Sequence, residues 1–350
     1  MDLLETNRNP RIGQNPTSGT LGVQRRKEIY ALCCKYDVII VEDDPYWYLQ
    51  YPSANKSSLA ARGKPTSQDA EPGLRNYNAP KSSGFPFLDS LVPSYLSVDT
   101  EGRVVRLDTF SKTVAPGCRL GWITTQPALC ERILRITETS TQQPSGFVQA
   151  MIAELIIGPH DSSDGGRGGE KNGSGWQVAG WVRWLEGLRG DYERRMNTMC
   201  GILESGKQLV KSGRRQSMTD EWSVVDKVLM YDFVWPLGGM FIWVKLNLES
   251  HPLWKKTSHG KLSHALWVYL TTDKFLVLVA PGQIFSSTEE IRDTKSWAYF
   301  RLCFAAVDLP DVEKTSHRFV EGCKSFWRKK SLDDIEEIVR RNDEAVFPHM

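Results

Sequence analysis

The run Val38-Ile39-Ile40-Val41, preceded by a helix-patterned stretch and cut off by Pro45, constrains the fold of this chain more than any other feature. Four consecutive β-branched residues suit a strand of a parallel sheet covered on both faces. Proline donates no ladder hydrogen bond and pushes its predecessor toward extended geometry, so Asp43 and Tyr46 fall at that strand's carboxyl end. The preceding stretch, 20–35, offers Leu21, Ile29, Leu32 and Cys33 as a buried stripe. A helix followed by a parallel-type strand predicts an α/β fold.

Further strands are expected at 104–110 and 121–125, joined by Ser111-Lys112-Thr113-Val114-Ala115-Pro116-Gly117. The stretch between 52 and 100, rich in Ser, Pro and Lys, reads as a surface insertion, and the Gly/Ser-rich 160–175 as a flexible tract. That tract is no phosphate loop, since Ser174 stands where the lysine belongs. From Trp176 onward Trp181, Trp184, Leu185, Leu188, Tyr192, Met196 and Met199 recur at helical spacing, predicting a long helix that bridges two lobes. Strands near 240–246, 275–280 and 299–305 and helices near 311–327 and 332–341 follow, an α+β pattern. The predicted organisation is a large domain over 1–190, a connecting helix over 191–215 and a small domain over 216–350.

Three hundred and fifty residues suffice for two cores, and 40% hydrophobic with 25% charged residues describes a folded chain. A formal net charge of +2 supplies no field to hold nucleic acid or an anionic membrane. The expected partners are small molecules or another protein chain. No apolar run is long enough for a membrane helix and no leader pattern opens the sequence, which leaves a cytoplasmic address as the expectation. Seven cysteines without a CxxC pair read as reduced thiols, with no metal site.

Lys112 is the most informative position. It follows the apolar strand directly in Asp108-Thr109-Phe110-Ser111-Lys112, with hydroxyls on either side and Arg119 seven residues on. A solvated loop lysine is the common fate of such a residue. A lysine at a strand end beside an anion site also suits a Schiff-base amine. The whole string DTFSKTVAPGCRLGW resembles the lysine signature of the class I/II aminotransferases, fold-type I enzymes dependent on pyridoxal 5′-phosphate. Three more segments match in order: GQNPTSG at 13–19 is similar to the family's Asn-Pro-Thr-Gly loop with Ser18 intervening, VEDDPY at 41–46 to its aspartate-to-tyrosine strand end, and YFRLCF at 299–304 to its carboxylate-binding arginine strand.

The resemblance implies a mostly parallel sheet flanked by helices plus a smaller C-terminal α+β domain, and it implies roles. Lys112 would carry the cofactor and move the substrate's α-proton as base and acid. Asp43, expected to be buried, would face the pyridine nitrogen and keep it protonated, and Asp44 is its adjacent competitor. Tyr46 and Asn15 would donate to the phenolate oxygen, although Asn-Pro-Thr is also a plain turn signal. Thr109, Ser111 and Arg119 would hold the phosphate. Arg301, together with Asn15, would bind the substrate carboxylate, and its alternative is an edge-strand arginine whose head reaches solvent. The segments GGMFIW at 238–243 and PGQIF at 281–285 support the fold. The insertion and GWVRWLEGLRGDYERRMNTM resemble the fungal aromatic-amino-acid, 2-aminoadipate and kynurenine branch. Amino acid and 2-oxo acid substrates, ping-pong exchange and a homodimer are what the resemblance implies.

The family carries a substantial segment before its Asn-Pro-Thr-Gly loop, where only 14 residues precede Asn15 here. An N-terminally truncated large domain is therefore expected, with an exposed sheet edge or a poorly covered core. The alternative functional reading is an inactive paralogue serving as a cofactor- or amino-acid-binding or dimerisation module. A DNA-binding regulator ranks below both, because no basic stripe or helix-turn-helix precedes residue 15.

Overall fold

The computed structural model describes residues 13–65, 82–157, 178–211 and 226–346. Helix α1 (Val23–Lys35) leads into β1 (Ile40–Asp43), which pairs in parallel with β2 (Val104–Thr109), and β2 pairs antiparallel with β3 (Gly121–Thr124). The registers Asp43↔Leu107 and Thr109↔Gly121 bring the end of β1, the end of β2 and the start of β3 to one edge of the sheet. Mixed helix and sheet bear out the α/β expectation.

The cover over β1 differs from the expectation. The run at 38–41 is not buried on both faces: Val41 is 63% exposed and Ile39 53%. Strand alternation explains this. One face of the sheet is roofed by α1 and the 95–98 turn, where Leu21, Tyr30, Tyr95 and Val104 pack together, and the other is open along β1 among the described residues, although Val105 of β2 is buried. Among the described residues β1 has a single ladder partner, β2. Within α1 the buried residues are Val23, Arg26 and Tyr30, whereas Leu32 is exposed. A guanidinium stands in the middle of the stripe because its partner, Glu42, lies on β1 beneath it.

Helices α2 (Ala54–Ala61), α3 (Pro86–Asp89), α4 (Pro127–Thr139), α5 (Gly146–Ile157) and α6 (Ala179–Gly206) complete the first part of the chain. The 52–100 segment is not simply a surface insertion. Its second flank is core: Phe87 and Leu91 pack on Val182 and Leu185 of α6, Val92 packs on Val23, and Tyr95 packs under β2. The 160–175 tract lies outside the described residues.

The 28 residues of α6 span about 42 Å at 1.5 Å per residue. Its first half packs on α3, while Met196, Met199, Cys200 and Leu203 in its second half enter the main core. Trp184 is not part of the buried stripe. It is half exposed, and its indole N–H donates to the Thr113 carbonyl at 2.6 Å, tying α6 to the turn that carries Lys112.

Beyond α6, β4 (Gln208–Lys211) pairs with β5 (Asp226–Leu229), and β6 (Tyr231–Phe233), β7 (Phe241–Leu246), β8 (Ala280–Pro281) and β9 (Tyr299–Cys303) form an antiparallel sheet in the order β6-β7-β9-β8. Helices α7 (His259–Thr271), α8 (Glu289–Thr294), α9 (Leu309–Phe326) and α10 (Leu332–Val346) accompany it. The strand expected at 275–280 shrinks to β8. Phe275, Val277 and Val279 are buried and Leu276 and Leu278 exposed, so the period of two is real. It reflects chain lying on α7 rather than ladder pairing: Phe275 and Leu276 turn back onto the Thr272 carbonyl, Leu276 at φ +51°, and Val277 N–H donates to the Leu270 carbonyl.

Gly121 makes the β2–β3 approach possible, since a Cβ there would sit 2.5 Å from the Asp108 carbonyl oxygen. Gly121→Ala should destabilise the chain by about 1–3 kcal/mol, the usual cost of overpacking. Gly117→Ala, with nothing within 4 Å of its added carbon, should shift stability by no more than about 0.5 kcal/mol. Urea denaturation of the two variants side by side checks this.

Candidate active site

Thr109 ends β2 and caps the 3-10 turn Phe110–Lys112, its Oγ1 accepting from the Ser111 N–H at 3.1 Å and lying 2.9 Å from Ser111 Oγ. The turn is pinned from three sides. Phe110 N–H donates to the Leu120 carbonyl at 3.0 Å, the Phe110 ring packs with Ile152 and Ile156, and Trp184 holds Thr113. Lys112 is thereby half-buried at the sheet's edge. Arg119, exposed and in the left-handed region at φ +46°, sits in the return to β3. Asp43 is in register with Leu107, two residues before Thr109, so alternation places Asp43 and Thr109 on the same face.

Among the described residues the side chains of Asp43, Lys112 and Arg119 make no hydrogen bond or ion pair, although neighbouring charges are almost all paired. Asp43 is exposed, contrary to the expectation of burial. The buried carboxylates are Glu42 and Asp44, which alternation turns to the opposite face.

Tyr46 lies buried after Pro45, its ring edge-on to Phe241 with centroids 6.0 Å apart. Burial pushes its phenol above the ordinary value; Arg301 opposes this, while Cys303 and Asp43 add to it. Tyr46 thus stands electrostatically between Asp43 and Arg301. The 13–19 loop docks on the second sheet's side. A Cβ on Gly13, at φ +52°, would meet Gly239 at 2.6 Å, and Ser18, the intervening residue, donates its hydroxyl to the Phe241 carbonyl. The loop sets Asn15 over Arg301, whose Nη1 donates to Asn15 Oδ1 at 2.6 Å.

Arg301 is not an edge-strand arginine: β9 runs between β7 and β8. Its guanidinium carbon lies 4.2 Å from the Phe241 ring centroid and 4.8 Å from that of Phe285. Trp243, its cross-strand partner, stacks on Tyr299 and meets Phe285 edge-on. The guanidinium has no carboxylate partner among the described residues. Phe241 and Phe285, which the sequence places only in fold-supporting segments, are the rings against this guanidinium. For Phe241 the signal is its period-two spacing with Trp243, which becomes legible only with the β7–β9 register.

On the far face of β1 and β2 lies a buried charged cluster that sequence reasoning missed. Arg106 grips both Asp108 oxygens at 2.8 Å, its Nη1 lies 3.3 Å from Glu42 and 3.9 Å from Asp44, and Arg26 also pairs with Glu42. Burial pushes the Asp44 carboxyl up to about 7, with Arg106 and Arg26 opposing and Glu42 and Asp108 adding. For Arg106 burial opposes the charge, but its hydrogen bonds to Asp108 and the surrounding carboxylates outweigh that and raise its value.

The chain is 35% identical over 319 residues to an aromatic amino acid aminotransferase of Schizosaccharomyces pombe, spanning 91% of this chain and 54% of that protein. It is 35% identical over 240 residues to an L-tyrosine:2-oxoglutarate aminotransferase of Tapinella panuoides, spanning 68% and 36%. The crystal structure of an aminotransferase from Candida albicans matches with a TM-score of 0.62 at 32% identity, over 90% of this chain and 56% of that one. No family model matches. The chain belongs to the fold-type I aminotransferase family, and within it stands beside the fungal aromatic amino acid aminotransferases. It spans about half the length of the curated relatives it matches over most of its own length. Among the described residues no helix is long and apolar enough to cross a membrane.

Because Asp44's folded value of about 7 lies above its ordinary 3.8, its proton favours the fold. That stabilisation is complete below the ordinary value and is lost as pH rises from about 4 to about 7. Asp44→Asn should flatten this decline and melt above wild type at about pH 8. Melting temperatures of both proteins at about pH 5 and pH 8 provide the check, and parallel declines would contradict it.

Proposed function

We propose that this chain forms the cofactor- and substrate-binding part of an aminotransferase that passes the amino group of an aromatic amino acid to a 2-oxo acid, with pyridoxal 5′-phosphate as cofactor. One observation carries the reading: the ends of β1 and β2 and the return to β3 meet at one edge of a sheet, and they bear a carboxylate, a lysine amine and a guanidinium that make no hydrogen bond or ion pair among the described residues, next to two hydroxyls 2.9 Å apart. That donor set suits an aldehyde, a pyridine nitrogen and a phosphate. When bound, the cofactor supplies an electron sink for the substrate's α-carbon.

The chain's own residues then have distinct tasks. Thr109, Ser111 and Arg119 hold phosphate, the guanidinium adding charge and the hydroxyls direction. Asp43 keeps the ring nitrogen protonated through a charge-assisted hydrogen bond. Tyr46 donates its phenol to the phenolate oxygen; Asn15, whose Oδ1 is engaged by Arg301, has an amide N–H that makes no hydrogen bond among the described residues and serves the same task. The Lys112 amine takes the proton from the substrate's α-carbon and returns it, as general base and acid. Arg301 receives the α-carboxylate, and Phe241 and Phe285 exclude water around it, which strengthens the charge pair. The aromatic surround suits an aromatic donor, in keeping with relatives named for aromatic amino acids and for L-tyrosine with 2-oxoglutarate.

Mixing the protein with pyridoxal 5′-phosphate should give a visible absorption band that Lys112→Ala abolishes. An unchanged free-cofactor spectrum in the wild type would sink the reading. Arg301→Leu should lower kcat/KM for aromatic amino acids by about 10- to 100-fold, mainly through KM, the equivalent of about 1.5–3 kcal/mol for a charged hydrogen bond. Steady-state kinetics measures it.

A further inference from the structure

The two strands that carry the cofactor residues bear charge on both faces. Asp43 and Thr109 face the site. Glu42, Asp44, Arg106 and Asp108 face the buried cluster, closed by Arg26 from α1 and by the Tyr95 N–H, which donates to Glu42. Arg106 is the hub. Its Nε and Nη2 fork holds Asp108, its Nη1 reaches Glu42, and its guanidinium lies over the Trp47 ring at 4.9 Å. Two guanidiniums meet three carboxyls, so the cluster is neutral when Asp44 holds a proton and carries one negative charge when it does not. At 3.9 Å, Nη1 is too far from Asp44 to hydrogen-bond.

We propose that Arg106 and Asp44 are positioning residues for the site on the opposite face: the Arg106 fork holds Asp108, and with it the Thr109–Lys112 turn, against β1 and Asp43, and ionisation of Asp44 loosens that grip. This rests on the cofactor reading above.

The transmission path is short. Asp43 lies between Glu42 and Asp44 in the chain, and Asp108 immediately precedes Thr109, so movement of a buried carboxylate crosses one peptide unit to reach a site residue. The groups facing Asp44 are Arg106 and Asp108 from β2, Glu42 from β1 and Arg26 from α1; the Tyr48 phenol, beyond β1, faces Asp108 and Arg106. With Asp44 protonated below about pH 7, Arg106 is shared only by Asp108 and Glu42. Above that pH the new carboxylate competes for Nη1 and draws the fork aside. A lysine at 106 would keep the charge but lose the two-pronged grip.

The test is the dissociation constant of pyridoxal 5′-phosphate, read from the Lys112-dependent band between about pH 6 and pH 8, for wild type, Asp44→Asn and Arg106→Lys. Wild type should lose affinity severalfold with rising pH, bounded at about tenfold per pH unit for one linked proton. Asp44→Asn should hold its low-pH affinity throughout. Arg106→Lys should bind about tenfold more weakly at about pH 6 with unchanged far-ultraviolet circular dichroism, an energy near 1.4 kcal/mol. If Arg106→Lys does not fold, the near-isosteric Asp44→Asn decides alone. A pH profile shared by wild type and Asp44→Asn overturns the inference and leaves the cofactor reading intact. A wild type with no such band at any pH overturns both.

Discussion

Strand alternation across one parallel pair is the constraint on which the site depends. Because side chains on β1 and β2 point to opposite faces in turn, three consecutive acids, Glu42, Asp43 and Asp44, are dealt to two environments. The outer two are buried among arginines, and the middle one faces the open side with Thr109. A one-residue slip in register would exchange them, burying Asp43 against Arg106 and exposing the cluster. The ion pairs beneath the sheet make such a slip costly, since breaking a buried pair typically costs about 3–5 kcal/mol.

The second half of the site reaches the first through backbone contacts of unusual closeness. Gly13 and Gly239 approach where neither tolerates a side chain, Ser18 bonds the Phe241 carbonyl, and Tyr51 donates to the Gly239 carbonyl. These contacts bring Asn15, from the start of the described chain, onto Arg301, 286 positions later. Tyr46 sits between the two groups, edge-on to Phe241 and close enough to feel both Asp43 and Arg301.

Much of this was legible in the sequence because the residues concerned sit in short contiguous motifs. Lys112, Thr109, Ser111 and Arg119 share one string, and Asp43 and Tyr46 another. Strands at 104–109, 241–246 and 299–303 were legible from apolar runs, and α6 from its three- and four-residue spacing. What stayed hidden depends on contacts distant in sequence. The burial of Arg26 and Arg106 requires carboxylates on another strand, so neither looks like a core residue in isolation. The exposure of Asp43 and Val41 depends on which face receives α1. The stretch 275–280 reads as a strand, yet only 280–281 pair, because an apolar run records that the chain is covered and not what lies alongside.

The hydrogen bond from Trp184 to the Thr113 carbonyl gives α6 a mechanical meaning. One rigid rod is rooted at its far end among Met196, Met199 and Leu203, in the core that also supports the Arg301 strand, and grips at its near end the residue after Lys112. Lys112 and Arg301 are therefore geared to the same shaft, and a swivel of one half of the protein about the other registers at the Lys112 amine as a change of aim.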